Sequence, residues 1–281
     1  AVLVVLSILS MVVRGFNLGI DFTGGVLLER NVGREVTAAE VREVLQSPQL
    51  ADLNLSGAIV QPLSEQGGVL IRFASETTAD VARIDEALAA AFGSVEDRRT
   101  EFVGPVIGAE LVRNALFALT LAAVGMLIYL WFRFEVKFSV VAIATVLHNV
   151  IVVLGVVSFF QLEVNSPFIA AILTVLGYSI NDTIVIFDRI REHLQLRNEK
   201  PSADMVNRSL NETLTRTINT GLTTLLVVVS LLLFGGETIR DFMIVLLVGI
   251  VVGAYASVFL ASPIWLWWRL KGERKPHAMA Q

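Results

Sequence analysis

The stretch Leu173-Thr-Val-Leu-Gly-Tyr-Ser-Ile-Asn-Asp-Thr-Ile-Val-Ile-Phe-Asp-Arg-Ile-Arg-Glu192 decides how this chain is read. It begins as an apolar helix of the kind that crosses a membrane, then places Tyr178, Ser179, Asn181, Asp182 and Thr183 inside the hydrophobic run. An ionised carboxylate at membrane depth costs at least a few kcal/mol, so it is expected only where it faces protein or water and has a task. Two readings of Asp182 stand side by side: a satisfied structural polar residue near the surface, or a carboxylate that titrates or binds an ion. The clustering of the polar residues favours the second.

Similar apolar runs recur on both sides of this stretch. Spans are expected at Leu111–Phe132, Phe138–Phe160, Pro167–Phe187, Leu214–Phe234 and Phe242–Trp268. Each reaches the ~20 residues needed to cross ~30 Å of hydrocarbon. The chain of 281 residues is 54% hydrophobic and 17% charged, with a mean hydropathy of +0.69. That excludes an ordinary soluble domain and indicates a polytopic α-helical membrane protein with some extramembrane mass. A net charge of −4 gives no reason to expect nucleic acid as a partner. The absence of cysteine excludes disulfides, thiol catalysis and cysteine metal sites.

The N-terminal apolar run, residues 1–13, is short for a span, and a cleaved signal peptide would leave no such remnant. Ala1 is therefore expected to be an interior position of a longer polypeptide, with the start of a first helix cut away. Six transmembrane helices follow, the first truncated at residues 1–18. The Gly-rich Arg14-Gly-Phe-Asn-Leu-Gly-Ile-Asp-Phe-Thr-Gly-Gly25 suits tight turns and lacks the spacing of a phosphate loop. Asp21 is read as part of a turn that launches a domain.

Residues 19–108 contain the extramembrane block. Val26–Val32 is read as a strand, and Thr37-x-x-Glu40 as a capping box opening a helix to about Gln46. Ala58–Pro62 and Gly68–Phe73 form a hairpin through Glu65-Gln66-Gly67. Thr78–Phe92 is helical, with Val81, Ile84, Leu88 and Phe92 on one face, and Val95–Val103 is a last strand. The order β-α-β-β-α-β predicts a small α+β, ferredoxin-like domain. It holds no histidine, cysteine or catalytic constellation, so a binding or lever module is the stronger reading.

Lys137, Lys200, Lys271 and Lys275 all fall on one side, together with Arg133, Arg189, Arg191, Arg197, Arg208, Arg269 and Arg274. The positive-inside rule puts both ends, including the tail 271–281, in the cytoplasm and the 26–103 domain outside. Trp265, Trp267 and Trp268 fit an interfacial belt closing the last helix.

Within the membrane region 109–270, other polar residues collect near Asp182. Arg216, Asn219, Thr220, Thr223 and Thr224 form one stripe on the fifth span. Spans four and five are antiparallel neighbours, and Asp182 lies ~9 Å from the end of its span at 1.5 Å per residue. An Asp182–Arg216 pair is sterically reasonable; the alternative is an arginine that snorkels to the headgroups. His148 and Asn149 lie mid-run in span three, as a hydrogen-bonded structural pair or as part of a proton relay. No metalloprotease, hydrolase or nucleotide motif occurs, so neither an enzyme nor a metal or organic cofactor is expected.

These motifs resemble the SecF family of bacterial protein-export subunits, in the RND superfamily. The resemblance rests on Gly19-Ile-Asp-Phe-Thr-Gly-Gly25, with Gly24 and Gly25 at its end, and on Val103-Gly-Pro-Val-Ile-Gly108, with Gly104 and Pro105. It rests also on Gly177-Tyr-Ser-Ile-Asn-Asp-Thr183, Phe187-Asp-Arg-Ile-Arg191 and the Arg-Thr-Ile-Asn-Thr run from Arg216. It covers essentially the whole chain. It implies a multi-pass protein of the bacterial inner membrane that works with SecD, fused or separate, and with the SecYEG channel on a translocating preprotein. It further implies the proton as coupling ion, with Asp182 and Arg216 at positions linked to proton transport. Family members commonly carry an acid after the span-three histidine, where this chain has Asn149. A small-molecule or lipid exporter of the RND type is the alternative reading, but one ~75-residue outer domain leaves little room for a cargo pocket.

Overall fold

A computed structural model describes residues 2–63, 67–75 and 77–273, which fall into two compact units: residues 18–116, and residues 1–17 with 117–281. Glu65 and Gln66 of the expected hairpin turn, and the tail from Arg274, lie outside the described residues.

In order, the elements begin with α1 (Val2–Arg14), the two-residue strand β1 (Asn17–Leu18), a short helix α2 (Ile20–Thr23) and β2 (Gly25–Asn31). Next come α3 (Ala38–Leu45), two 3₁₀ turns over Pro48–Leu53 and Leu55–Gly57, β3 (Ile59–Pro62), β4 (Gly68–Phe73), α4 (Val81–Phe92) and β5 (Glu96–Val103). Then follow α5 (Pro105–Arg133), α6 (Val136–Phe160), the short β6 (Glu163–Val164), α7 (Ser166–Gln195) and α8 (Ala203–Phe234). The last helix runs as α9 (Arg240–Ala256), a π turn (Ser257–Ala261) and α10 (Ser262–Glu273).

In the first unit the four larger strands form one antiparallel sheet in the order β3-β4-β2-β5. Val26, Leu28, Val60, Val69, Ile71 and Phe73 meet Val41, Leu45, Ile84 and Leu88 of the two helices in a closed core. The capping box forms as read: Glu40 N–H donates to Thr37 Oγ1, and Thr37 N–H donates to Glu40 Oε2 at 2.7 Å. Sequence reading missed the two 3₁₀ turns and started α4 three residues early, since Thr78–Asp80 form the turn before it. Arg30 is fully buried, with Asp85 at 2.7 Å, Asp97 at 2.7 Å and Thr100 at 3.0 Å around its guanidinium.

The two glycine motifs meet inside this unit. Gly24 and Gly25 have φ of +70° and +118°, which disfavour any side chain. A Cβ on Gly25 would overlap the Phe73 carbonyl, and one on Gly108 would sit 3.4 Å from the Gly24 nitrogen. Pro105 starts α5, where its missing N–H leaves no helical bond unmade.

Among the described residues five helices are long and apolar enough to cross a membrane: α5, most of which lies in the second unit, and α6, α7, α8 and the α9–α10 helix within it. Two begin or end well beyond the expected spans. α7 continues to Gln195 and α8 starts at Ala203, because polar amphipathic turns prolong each helix past the apolar run. α7 packs on α8 and α9, α9 on α6 and α8, and α1 on α6. At one end of these helices Phe138 stacks on the buried Trp265 at 4.7 Å and lies 5.0 Å from Phe187.

Candidate functional site

Asn165 starts α7 by accepting the Phe168 N–H at 3.0 Å, with Pro167 in the first turn. Ser179, Asp182 and Thr183, three and four residues apart, then share its inward face and are all buried. Close approach of α9 makes this burial complete. Gly249 and Gly253 lie on α9 one turn apart; a Cβ at Gly249 would overlap the Val175 side chain, and one at Gly253 would sit 3.3 Å from Ser179 Cβ. Small residues four apart let two helix backbones approach in a membrane.

Ser179 and Thr183 join three helices. Asn149 on α6 donates to Ser179 Oγ at 2.5 Å and accepts from His148 Nδ1 at 3.1 Å. Thr183 Oγ1 and Ser257 Oγ are 2.8 Å apart, one hydroxyl donating to the other, and the Ser179 carbonyl lies 3.2 and 3.4 Å from them to accept from the hydroxyl that remains. Ser257 opens the π turn. Its cause is local: Pro263 has no N–H for the carbonyl four residues back, so the helix widens ahead of it. Neither Ser257 nor the π turn was found from the sequence. A proline inside the last apolar run, with serines at 257 and 262, was the available signal.

Asp182 is 3% exposed, and its Oδ2 has no hydrogen-bond partner among the described residues. The same holds for Tyr178 Oη, which points toward α8 at Gly221, 3.7 Å from where a Cβ would stand. Arg216 acts on the Asp182 carboxyl through space, but the two form no ion pair. Arg216, Asn219 and Thr220 on α8 are exposed, as is Asn181 on α7. Thr220, Thr223 and Thr224 turn their hydroxyls back to carbonyls of their own helix at 2.9 Å. Thus the residues singled out from the sequence divide in two. His148, Asn149, Ser179 and Thr183 come together inside the bundle, whereas Asn181, Arg216, Asn219 and Thr220 form a polar face on its surface.

The α7–α8 connection holds a second cluster that the sequence did not disclose. His193 is fully buried, with Nδ1 2.9 Å from Glu199 and Nε2 3.0 Å from Glu212. Arg189 reaches Glu212 at 2.5 Å and Arg208 reaches Glu199 at 2.7 Å. The hydrogen bond from His193 holds the Glu199 carboxyl below its usual range, against the effect of burial, and the charge of Arg208 adds to it. Arg189 and Asp188 are tied down as well, Asp188 to Arg133 at 2.8 Å.

Residues 83–271 match the model of the protein export membrane protein SecD/SecF C-terminal family, and residues 9–29 match the SecD/SecF GG motif. The chain belongs to the SecD/SecF family. Protein translocase subunit SecF of Sebaldella termitidis is 44% identical over 263 residues, 93% of this chain and 85% of that protein. SecF of Desulfurispirillum indicum is 41% identical over 96% of this chain and 87% of its own length. SecDF of Bacillus subtilis is 40% identical across 98% of this chain, which spans 37% of that longer protein. The crystal structure of SecDF, a translocon-associated membrane protein from Thermus thermophilus, superposes with a TM-score of 0.86 at 36% identity, over 96% of this chain and 37% of that one. The chain is thus a SecF subunit or the SecF half of a SecDF, a multi-pass membrane protein of the Sec protein-export machinery.

Proposed function

We propose that this chain couples proton movement across the bacterial inner membrane to a late stage of preprotein export, acting with SecD beside SecYEG. The observation that carries the reading is Asp182: a buried carboxyl inside an apolar span, with an oxygen unsatisfied among the described residues, next to an exposed polar face of Arg216, Asn219 and Thr220. Polar groups at that depth do not face lipid. A partner's helices would cover them, and the names of the fused SecDF relatives make SecD the natural partner. Ionised, Asp182 would draw Arg216 inward from the face it now occupies; protonated, it would release the arginine to water or to a carboxylate of SecD. The proton is then the only coupling species required, with no cofactor and no catalytic chemistry.

Two arrangements of α7 and α8 would follow, registered by the Asn149–Ser179 and Thr183–Ser257 contacts. Each charge crossing the full membrane contributes ~2.3 kcal/mol per 100 mV, enough to shift a two-state equilibrium more than tenfold. We read residues 19–108 as a ferredoxin-like domain on the outer face, which would turn that shift into movement against emerging polypeptide. The sheet order and paired helices support the fold, and the basic residues at the opposite helix ends support the orientation. α1, an apolar helix packed on α6, is read as a sixth membrane segment. Nothing in the described residues favours a small-molecule exporter.

Asp182→Asn keeps the shape and removes the titration. In sealed vesicles it is expected to insert and bind its partner while losing proton-dependent stimulation of export. Wild-type proton flux and export in that variant would sink the mechanism.

A further inference from the structure

At the end of the helical unit where α5 and α7 finish and α6 and α8 begin, a cavity of about 330 Å³ opens between α6, α7, the connection to α8, and α10. Three cations line it: Arg191, Lys200 and Arg269. Two acids also line it, and both are already engaged, Glu135 with Arg269 at 3.6 Å and Glu199 with His193 at 2.9 Å and Arg208 at 2.7 Å. Arg191 spends its guanidinium on neutral acceptors, Gln195 Oε1 at 3.1 Å and the Arg133 carbonyl at 3.4 Å. Lys200 is exposed and, like Arg191, has no carboxylate partner among the described residues. The cavity therefore carries two uncompensated positive charges and no acid left over for a second cation.

Its level is set by the aromatic side chains around it. Trp131, Phe132 and Trp267 at the same helix ends are 66%, 85% and 63% exposed, and Lys271 lies 4.9 Å over the Trp267 ring. Exposed tryptophans beside lysines at helix ends sit at the headgroup layer of a bilayer. Phe138 and Leu194 supply an apolar wall to the cavity. We propose that this cavity, with Arg191 and Lys200 as its ligands, binds the phosphodiester of an anionic phospholipid. A guanidinium and an ammonium lining one cavity both offer charge-assisted hydrogen bonds to a phosphate. Basic pockets between helix ends at the headgroup level are suited to such lipids. A zwitterionic lipid would bring an ammonium group that neither acid is free to receive. A soluble phosphate would gain nothing from the apolar wall or from the depth.

The proposal is independent of proton coupling, since none of these residues belongs to the Asp182 cluster. It also ties the α7–α8 connection to lipid composition, because Lys200 follows directly on Glu199 of the His193 cluster. The test is native mass spectrometry of the purified protein from neutral detergent, with phosphatidylglycerol or phosphatidylcholine added, and with inorganic phosphate as competitor. Phosphatidylglycerol is expected to bind, and phosphatidylcholine, which has the same phosphodiester but sets a trimethylammonium against an already cationic cavity, to bind at least about tenfold more weakly. Lys200→Gln, at an exposed side chain without a carboxylate partner among the described residues, is expected to weaken phosphatidylglycerol several-fold at unchanged thermal unfolding, and Arg191→Gln with Lys200→Gln to weaken it by more than about tenfold. Equal binding of the two lipids would overturn the proposal. So would undiminished binding in Lys200→Gln, or displacement of the lipid by millimolar phosphate.

Discussion

Gly249→Ala adds one methyl where α9 lies against α7, and the structure indicates its effect. The new Cβ would fall on both Cγ atoms of Val175 and close to its Cβ. Val175 is fully buried, and a β-branched side chain in a helix has essentially one rotamer, so it has no route of retreat. The helices must separate, and overpacking of this kind costs about 1–3 kcal/mol. Each ~1.4 kcal/mol is tenfold in an equilibrium constant. The same separation would lengthen the Thr183–Ser257 contact, two turns along α7 from Val175, so export stimulation should fall with stability. Val175→Ala removes the two Cγ atoms and is expected to cost stability alone yet to relieve Gly249→Ala in combination. Equilibrium unfolding in mixed micelles of the two single variants and the double gives the coupling energy, expected at about 1 kcal/mol or more and favourable. If the two effects instead add within ~0.3–0.5 kcal/mol, the close α7–α9 contact is not what holds these helices in register.

Gly25→Ala should destabilise the α+β domain by about 1–3 kcal/mol from its φ alone, with Gly57→Ala, which meets nothing within 4 Å, as the neutral control in hydrogen exchange of β2 and β4. Glu40 titrates below its ordinary 4.5 because it accepts the Thr37 N–H, the Thr37 hydroxyl and a bond from Arg34. A folded-state value below the unfolded one gives stability that is full above about pH 4.5 and is lost as pH falls through the lowered value. Amide protection of α3 should therefore drop on that acid limb in the wild type and show a flatter dependence in Glu40→Gln. For orientation, a cysteine at exposed Ser56 should react with an impermeant thiol reagent added outside the cell and one at exposed Ala203 should not; the reverse pattern would invert the topology.

The sequence alone was enough for the features set by local pattern and by the cost of leaving water. Apolar runs of membrane-spanning length marked the helices from Leu111 onward. The β-α-β-β-α-β order of the α+β domain was legible because alternation, helical periodicity and the Thr37–Glu40 capping box are all short-range signals. Polar residues in a hydrophobic run pointed to Ser179, Asp182 and Thr183, since such residues are too costly there to be incidental. The Gly24-Gly25 pair was visible as a turn, though not its contact with Gly108 eighty-odd positions later.

What remained depended on which helices lie side by side, and no local pattern records that. Asn149 meets Ser179 across 30 positions and Thr183 meets Ser257 across 74, through helices whose approach is set by Gly249 and Gly253. Arg216 and Asp182, both conspicuous in the sequence, are neighbours without an ion pair, because one faces outward and the other inward. Burial of His193 between Glu199 and Glu212 likewise needed the turn that brings α8 back along α7. Hydrophobicity acts on each segment separately and so can be read residue by residue. Hydrogen bonds and close packing act between segments, and only the tertiary arrangement decides them.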